Sequence, residues 1–261
     1  MTHRLRALVV AIALLAGLAA TGLGCATPQQ PDPYEGINRR IFSFNEGADR
    51  WLVEPVAIGW NFVLPRFVQE RFADFFDLTG MPVVLLNDLL QGKGEDAAMD
   101  VVRVITNLLF GFGGFYDTAS WAGVPLNDED FGQTLGSWGV PAGAYLMIPL
   151  LGPTTTRELA GFAVDTASTP WGYLLPGGST VIVTIVRIVN FRSMLLEEVR
   201  QNRRDSFDYY VFLRSAFLQN RQMKVEDRKS SVEVADEDRG AESEDDLYYF
   251  EDKLELDLDG E

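Results

Sequence analysis

The stretch EDAAMDVVRVITNLLFGFGGFYD, Glu95 to Asp117, decides how the chain is read. Its first two-thirds has the period of a helix. Ala98, Val101, Val102, Ile105, Leu108 and Leu109 recur at three- and four-residue spacing, and Glu95 and Asp96 sit where a helix N-terminus favours negative charge. Its last third interleaves glycine with phenylalanine, and glycine after a helical run is where helices commonly stop. A dinucleotide loop needs G-x-G-x-x-G between a strand and a helix. Here Gly111, Gly113 and Gly114 follow a helix and run into Phe115 and Tyr116. Nor does a Gly-Lys-Ser/Thr phosphate loop occur anywhere, so nucleotide binding is excluded.

The same period extends outward. Upstream, Ile37, Ile41, Phe44, Ala48 and Trp51 form one face of an amphipathic helix. PRFVQERFADFFD predicts a second helix opened by Pro65, and PVVLLNDLLQG follows it. Downstream, residues 111–153 are rich in glycine, proline and aromatics and support only short helical turns. TTTRELAGFAVDTA then predicts a threonine-capped helix. STVIVTIVRIVNFRSMLLEEVRQNRR reads as one long helix, and SFDYYVFLRSAFLQNRQM as a last one capped by Asp205. No strand alternation or hairpin signal stands out, so the body is read as all-α. After the first segment no apolar run reaches 18 residues, and Arg187 interrupts the most apolar helix, which argues against a transmembrane span. Helices this rich in Phe, Trp and Leu suit either a body lying in one membrane leaflet or a water-soluble helical core.

The ends differ from the body. Residues 1–24 carry Arg4 and Arg6 before an apolar run and small residues, the pattern of a secretory signal peptide. Gly22-Leu23-Gly24-Cys25 resembles a bacterial lipoprotein cleavage signal, with Leu23 two places before the cysteine instead of the usual three. Lipidation of Cys25 is the expectation, and Ala26 after it favours the outer membrane over inner-membrane retention. Residues 25–33 then form a lipidated tether, 34–225 the helical domain, and 226–261 an acidic tail. Residues 26–225 carry a net charge of −6 and the tail −12; a segment that charged and that poor in apolar residues is expected to be disordered.

Composition also excludes chemistries. Cys25 is the only cysteine and His3, inside the signal segment, the only histidine. A mature chain would lack histidine triads, typical zinc ligands and disulfides, so no metal or cofactor is expected. Carboxylate chemistry at Asp128, Glu129 and Asp130 is the remaining enzymatic option, although such a run in a polar loop is usually solvated. No basic stripe for nucleic acid is present.

DPYEGINRRIFSFN, LLQGKGEDA, NLLFGFGGFYDTA and FGQTLGSWGVPAGAYLMIPLLGPTTTRE, in this order and spacing, resemble the MlaA family, also called VacJ lipoproteins, over residues 32 to 215. The resemblance implies a ring-like bundle of amphipathic helices in the periplasm-facing leaflet of the outer membrane, bound to trimeric porins. It implies no enzyme. Mislocalised outer-leaflet phospholipid would pass through an amphipathic channel to a periplasmic lipid carrier of the MlaC type, which maintains lipid asymmetry. A lipid-anchored scaffold that docks porins or envelope partners without passing lipid is the alternative.

A passage for an amphiphile needs apolar side chains beside backbone that can bend and offer polar groups. On that ground Gly111, Phe112, Gly113, Gly114, Phe115, Gly136, Trp138, Gly139, Gly143 and Tyr145 suit a channel wall or gate, or else ordinary turns between helices. Arg192, Arg200, Arg203 and Arg204 suit docking of a headgroup or an acidic carrier, or else pairing with Glu197, Glu198 and Asp205. Asn38 and Asn45, seven apart on the first helix, are either packed polar groups or exposed ones.

Overall fold

A computed structural model describes residues 32–169 and 179–226. The signal segment, Cys25 and the acidic tail beyond Glu226 lie outside the described residues. The chain divides into two compact units, Met1–Phe217 and Leu218–Glu261. The architecture is all-α, as the sequence implies, with one small hairpin.

Helix α1 (Glu35–Ala48) runs through a π-helical turn, Asp49–Val53, into α2 (Glu54–Val63). Helix α3 (Arg66–Gln91) follows, then α4 (Gly94–Leu109), a single turn α5 (Thr118–Trp121) and α6 (Phe131–Ser137). Strands β1 (Tyr145–Ile148) and β2 (Gly152–Thr155) pair antiparallel, with Tyr145 opposite Thr155 and Ile148 opposite Gly152. Helices α7 (Thr156–Ser168), α8 (Ser179–Met194), α9 (Leu196–Asp205) and α10 (Tyr209–Val225) follow among the described residues. The last turns of α10 belong to the second unit, where Gln222 donates to Glu226 at 2.9 Å.

Four boundaries differ from the sequence reading. PRFVQERFADFFD and PVVLLNDLLQG are one helix, α3, with Pro82 inside it. The proline removes one backbone donor, and the helix continues with the Thr79 hydroxyl bonded back to the Phe76 carbonyl at 2.8 Å. The long downstream helix breaks between α8 and α9 at Leu195, where ψ is 13°. The cap of α10 is Asp208, which accepts from Val211 N at 3.2 Å, and Asp205 instead ends α9. The hairpin is the fourth difference. Its β1 strand is bonded by side chains of α1: the Asn38 amide donates to Tyr145 O (3.1 Å) and accepts from Met147 N (2.9 Å). The Asn45 amide does the same with Ile148 O (3.0 Å) and Leu150 N (2.8 Å). Each amide bridges a carbonyl and the N–H two residues on, as a neighbouring strand would. Asn38 and Asn45 are therefore packed polar groups. Thr155 caps α7 by accepting from Glu158 N, as the sequence implies.

The main feature of the packing is its direction. On α4 the stripe Ala98, Val101, Val102, Ile105, Leu108 and Leu109 is exposed, and Asp100, Arg103 and Asn107 are buried. On α8, Val181, Ile182, Ile185 and Ile188 are exposed while Asn190 and Ser193 are buried. Trp51 and Phe62 on the α1–α2 segment are 87% and 91% exposed. Among the described residues, buried polar and charged side chains outnumber buried apolar ones. Helices meet through amides. Trp60 Nε1 donates to Asn190 Oδ1 (3.1 Å), Asn190 Nδ2 to Gln69 O (2.9 Å), Ser193 Oγ to Gln69 Oε1 (2.9 Å) and Gln69 Nε2 to Asn61 Oδ1 (2.7 Å), joining α2, α3 and α8. Polar contacts between helices with apolar side chains outward are the arrangement expected where the surroundings are hydrocarbon. Among the described residues no helix is long and apolar enough to cross a membrane.

Candidate functional site

The glycine stretch closes α4 in a tight left-handed turn. Phe112, Gly113 and Gly114 have φ of 53°, 74° and 97° in succession. Gly114 N bonds back to Asn107 O (3.0 Å) and Gly111 O (3.1 Å), and Tyr116 N to Gly111 O (3.0 Å). A Cβ on Gly111 would lie 2.2 Å from Tyr116 O and 2.5 Å from Asn107 O, so only glycine fits. Phe112 holds a positive φ that costs a phenylalanine of the order of 1 kcal/mol, and its ring is 81% exposed. The Phe112 ring meets Tyr116 with centroids 5.9 Å apart, and Phe110 and Trp121 are exposed as well.

The turn is held from beneath by two buried polar residues of α4. Arg103, 3% exposed, donates to Val124 O (2.6 Å), Ser120 Oγ (3.1 Å) and the Asp117 carboxylate. Asn107 donates to Asp117 Oδ1 (3.0 Å) and accepts from Ala119 N (2.8 Å) and Thr118 Oγ1 (3.1 Å). Burial would raise the Asp117 carboxyl. The bonds from Ser120 and Asn107 and the charge of Arg103 outweigh it and hold the group below its ordinary value. Neither anchor was singled out in the sequence, although both lie opposite the apolar stripe, at Asp100 plus three and plus seven.

The sequence-selected wall residues fall at separate stations. Phe115 stacks on Phe75 of α3 with centroids 4.8 Å apart, and Gly114 abuts Leu78. Trp138 lies further along α3, where its Nε1 donates to Leu90 O (3.2 Å) and its ring packs on Phe131 at 5.9 Å. From Leu78 to Leu90 is about 18 Å of helix. Gly136 lies in α6, and Gly139 after it has φ 88° with open space around its Cα. Gly143 is closed against Thr156. Tyr145 is fully buried against Tyr210 and Phe217. The structure thus sets Gly114 and Phe115 against α3 and puts Tyr145 in the packed interior.

The arginines are engaged across the fold instead of within α9 alone. The π turn aligns Asp49 with Glu54, whose N–H bonds to the Asp49 carbonyl five residues back. Arg192 makes a bidentate pair with Asp49, both bonds 2.9 Å. Arg203 reaches Asp49 (3.0 Å), Glu54 (3.2 Å) and Glu46 (3.1 Å), and Arg200 joins Glu54 (2.8 Å) to Glu197 (2.9 Å). The Arg200 hydrogen bond holds the Glu54 carboxyl below its ordinary range, and hydrogen bonds from Arg192 and Arg203 overcome burial to do the same for Asp49. Arg204 is exposed. Of the acids considered for enzymatic chemistry, Asp130 caps α6 by accepting from Gln133 N (2.9 Å). Glu129 accepts from Lys93 (2.9 Å) and Gln91 (2.7 Å). Both serve the fold.

With this geometry in view, comparison with known proteins decides the family. The family model described as MlaA lipoprotein matches residues 30–224. The chain belongs to the MlaA lipoprotein family. Its relatives include the intermembrane phospholipid transport system lipoprotein MlaA of Haemophilus influenzae, 36% identical over 234 residues that cover 83% of this chain and 90% of the relative. The protein of the same name from Escherichia coli is 30% identical over 257 residues, 94% of this chain and 100% of the relative. A solved chain, from work on the structural basis for maintenance of bacterial outer membrane lipid asymmetry, superposes with a TM-score of 0.66 at 30% identity. It covers 74% of this chain and 98% of that one.

Proposed function

We propose that this chain is a non-enzymatic lipoprotein of a phospholipid transport system that maintains outer-membrane lipid asymmetry. The observation that carries the reading is the reversed packing, apolar side chains outward and amides, Arg103 and Asp100 inward. That arrangement suits a body seated in the periplasm-facing leaflet and held there by a lipidated Cys25. Its MlaA relatives, named for intermembrane phospholipid transport, support the substrate class. In this account mislocalised outer-leaflet phospholipid moves through an amphipathic passage bordered by the Gly111–Phe115 turn. It is then handed to a periplasmic carrier of the MlaC type, and a trimeric porin holds the chain in place. Arg204 is the cluster's arginine available for headgroup or carrier docking; Arg192, Arg200 and Arg203 clamp α8–α9 to the π turn.

The test is phospholipid exposed on the cell surface, read with an enzyme that modifies only surface-exposed phospholipid. Deleting the protein is expected to raise it and the native chain to restore it. A chain carrying Gly113→Ala and Gly114→Ala is expected to stay membrane-bound and leave surface phospholipid close to the deletion level, because Ala is strained at φ of 74° and 97° and a Cβ at Gly114 meets Leu78. Full restoration by that variant would remove the turn from the passage. No rise on deletion would favour a scaffold that docks partners without passing lipid.

A further inference from the structure

Asp88, in the last turn of α3, and Asp100, on α4, face one another across the α3–α4 hairpin, and both are 0% exposed. Of their four carboxyl oxygens only Asp100 Oδ1 has a donor, Asn127 Nδ2 at 3.0 Å. Both oxygens of Asp88 and Asp100 Oδ2 are sealed from solvent with no hydrogen-bond partner. The neighbouring cations are engaged elsewhere, Lys93 with Glu129 at 2.9 Å and Arg103 with Asp117, Ser120 and Val124. Asp96 on α4 and Glu129 on the loop before α6 add further negative charge around the pair. Two ionised carboxylates cannot occupy such a place, since they repel and leave buried lone pairs unmet. Among the described residues no group of three or more His, Cys, Asp or Glu is disposed to hold a metal ion. One proton removes the repulsion and engages two of the three unpartnered oxygens, because a carboxylic acid donates to the carboxylate opposite.

We propose that Asp88 and Asp100 share one proton in the folded chain, and that this carboxylic acid–carboxylate bond latches α3 to α4 and opens in alkaline conditions. Burial first, and contact with Asp100 next, push Asp88 up to about 8, and burial raises Asp100 as well. An unfolded aspartate titrates at about 3.9. The folded state therefore holds the extra proton between those values. The stability it brings is complete below about 4 and is lost as pH rises through about 8. The inference is independent of the lipid reading.

The test follows thermal unfolding of the full chain in detergent micelles from pH 5 to 9. The native chain is expected to lose about 10 °C in Tm over that range. Asp88→Asn, whose amide donates to Asp100 at every pH, is expected to flatten most of that fall. An infrared band of a protonated carboxyl at pH 7, present in the native chain and lost in Asp88→Asn, reports the shared proton directly. Equal pH dependence in both chains, or no such band, overturns the proposal. So does millimolar Ca²⁺ or Mg²⁺ at pH 8 raising Tm in the native chain but not in Asp88→Asn, which would make the pair a cation bridge.

Discussion

Arg103→Met is expected to lower Tm by about 10 °C, with a cost of about 3–5 kcal/mol, the range for removing one partner of a buried charge pair. Methionine matches the length of the arginine stem but offers nothing to Val124 O, Ser120 Oγ or the Asp117 carboxylate, all of which Arg103 serves from a buried position. Asp117 keeps Asn107 and Ser120 as donors, so the loss concentrates on the charge and on the Val124 carbonyl. The glycine turn and α5 hang from these bonds, and their amides are expected to exchange faster than those of α3 in the variant. Arg103→Lys keeps the charge but cannot span three acceptors, and it is expected to fall between the two. A change below about 2 °C for Arg103→Met, by circular dichroism in micelles, would mean that the turn is held by something else.

The second large effect concerns the outward face. Trp51→Glu with Phe62→Glu alters two side chains that are almost wholly exposed. If that face meets water, the pair is a surface change worth at most about 0.5 kcal/mol each, and it improves solubility. If the face meets hydrocarbon, each charge costs about 2.5–3.5 kcal/mol at depth, and binding to vesicles falls by a factor of about 100 or more. Flotation with phospholipid vesicles, in a Cys25→Ser background so that no acyl chain contributes, separates the two. Undiminished flotation would count against a leaflet-seated body.

These effects show which features the sequence carried. Helical period located α1, α4, α7 and most of α8 because an apolar stripe repeats at 3.6 residues wherever it points. The direction of the stripe is not in the period. On α4 it was nonetheless encoded on the other side, where Asp100, Arg103 and Asn107 form a second, polar stripe of groups that bond well when buried. The glycine turn was legible as something other than a phosphate loop, and its closure against Tyr116 O and Leu78 explains why glycine is needed at two of its positions. The hairpin was not legible, because YLMI and GPTT lack alternation and are fixed by Asn38 and Asn45, more than a hundred residues earlier. The arginine clamp was hidden for the same reason, since Arg192 meets Asp49 across 143 positions. The Leu195 break has no glycine or proline to announce it.

A leaflet-seated body requires that the outward apolar face lie in lipid. Single nitroxide labels at Phe62, Leu109 and Ile182, and at Glu197 and Arg204 for contrast, test it most directly in the Cys25→Ser chain bound to phospholipid vesicles. The first three positions are predicted to be accessible to oxygen and shielded from a water-soluble paramagnetic reagent, and the last two the reverse. Equal access of the water-soluble reagent to all five positions would contradict the claim.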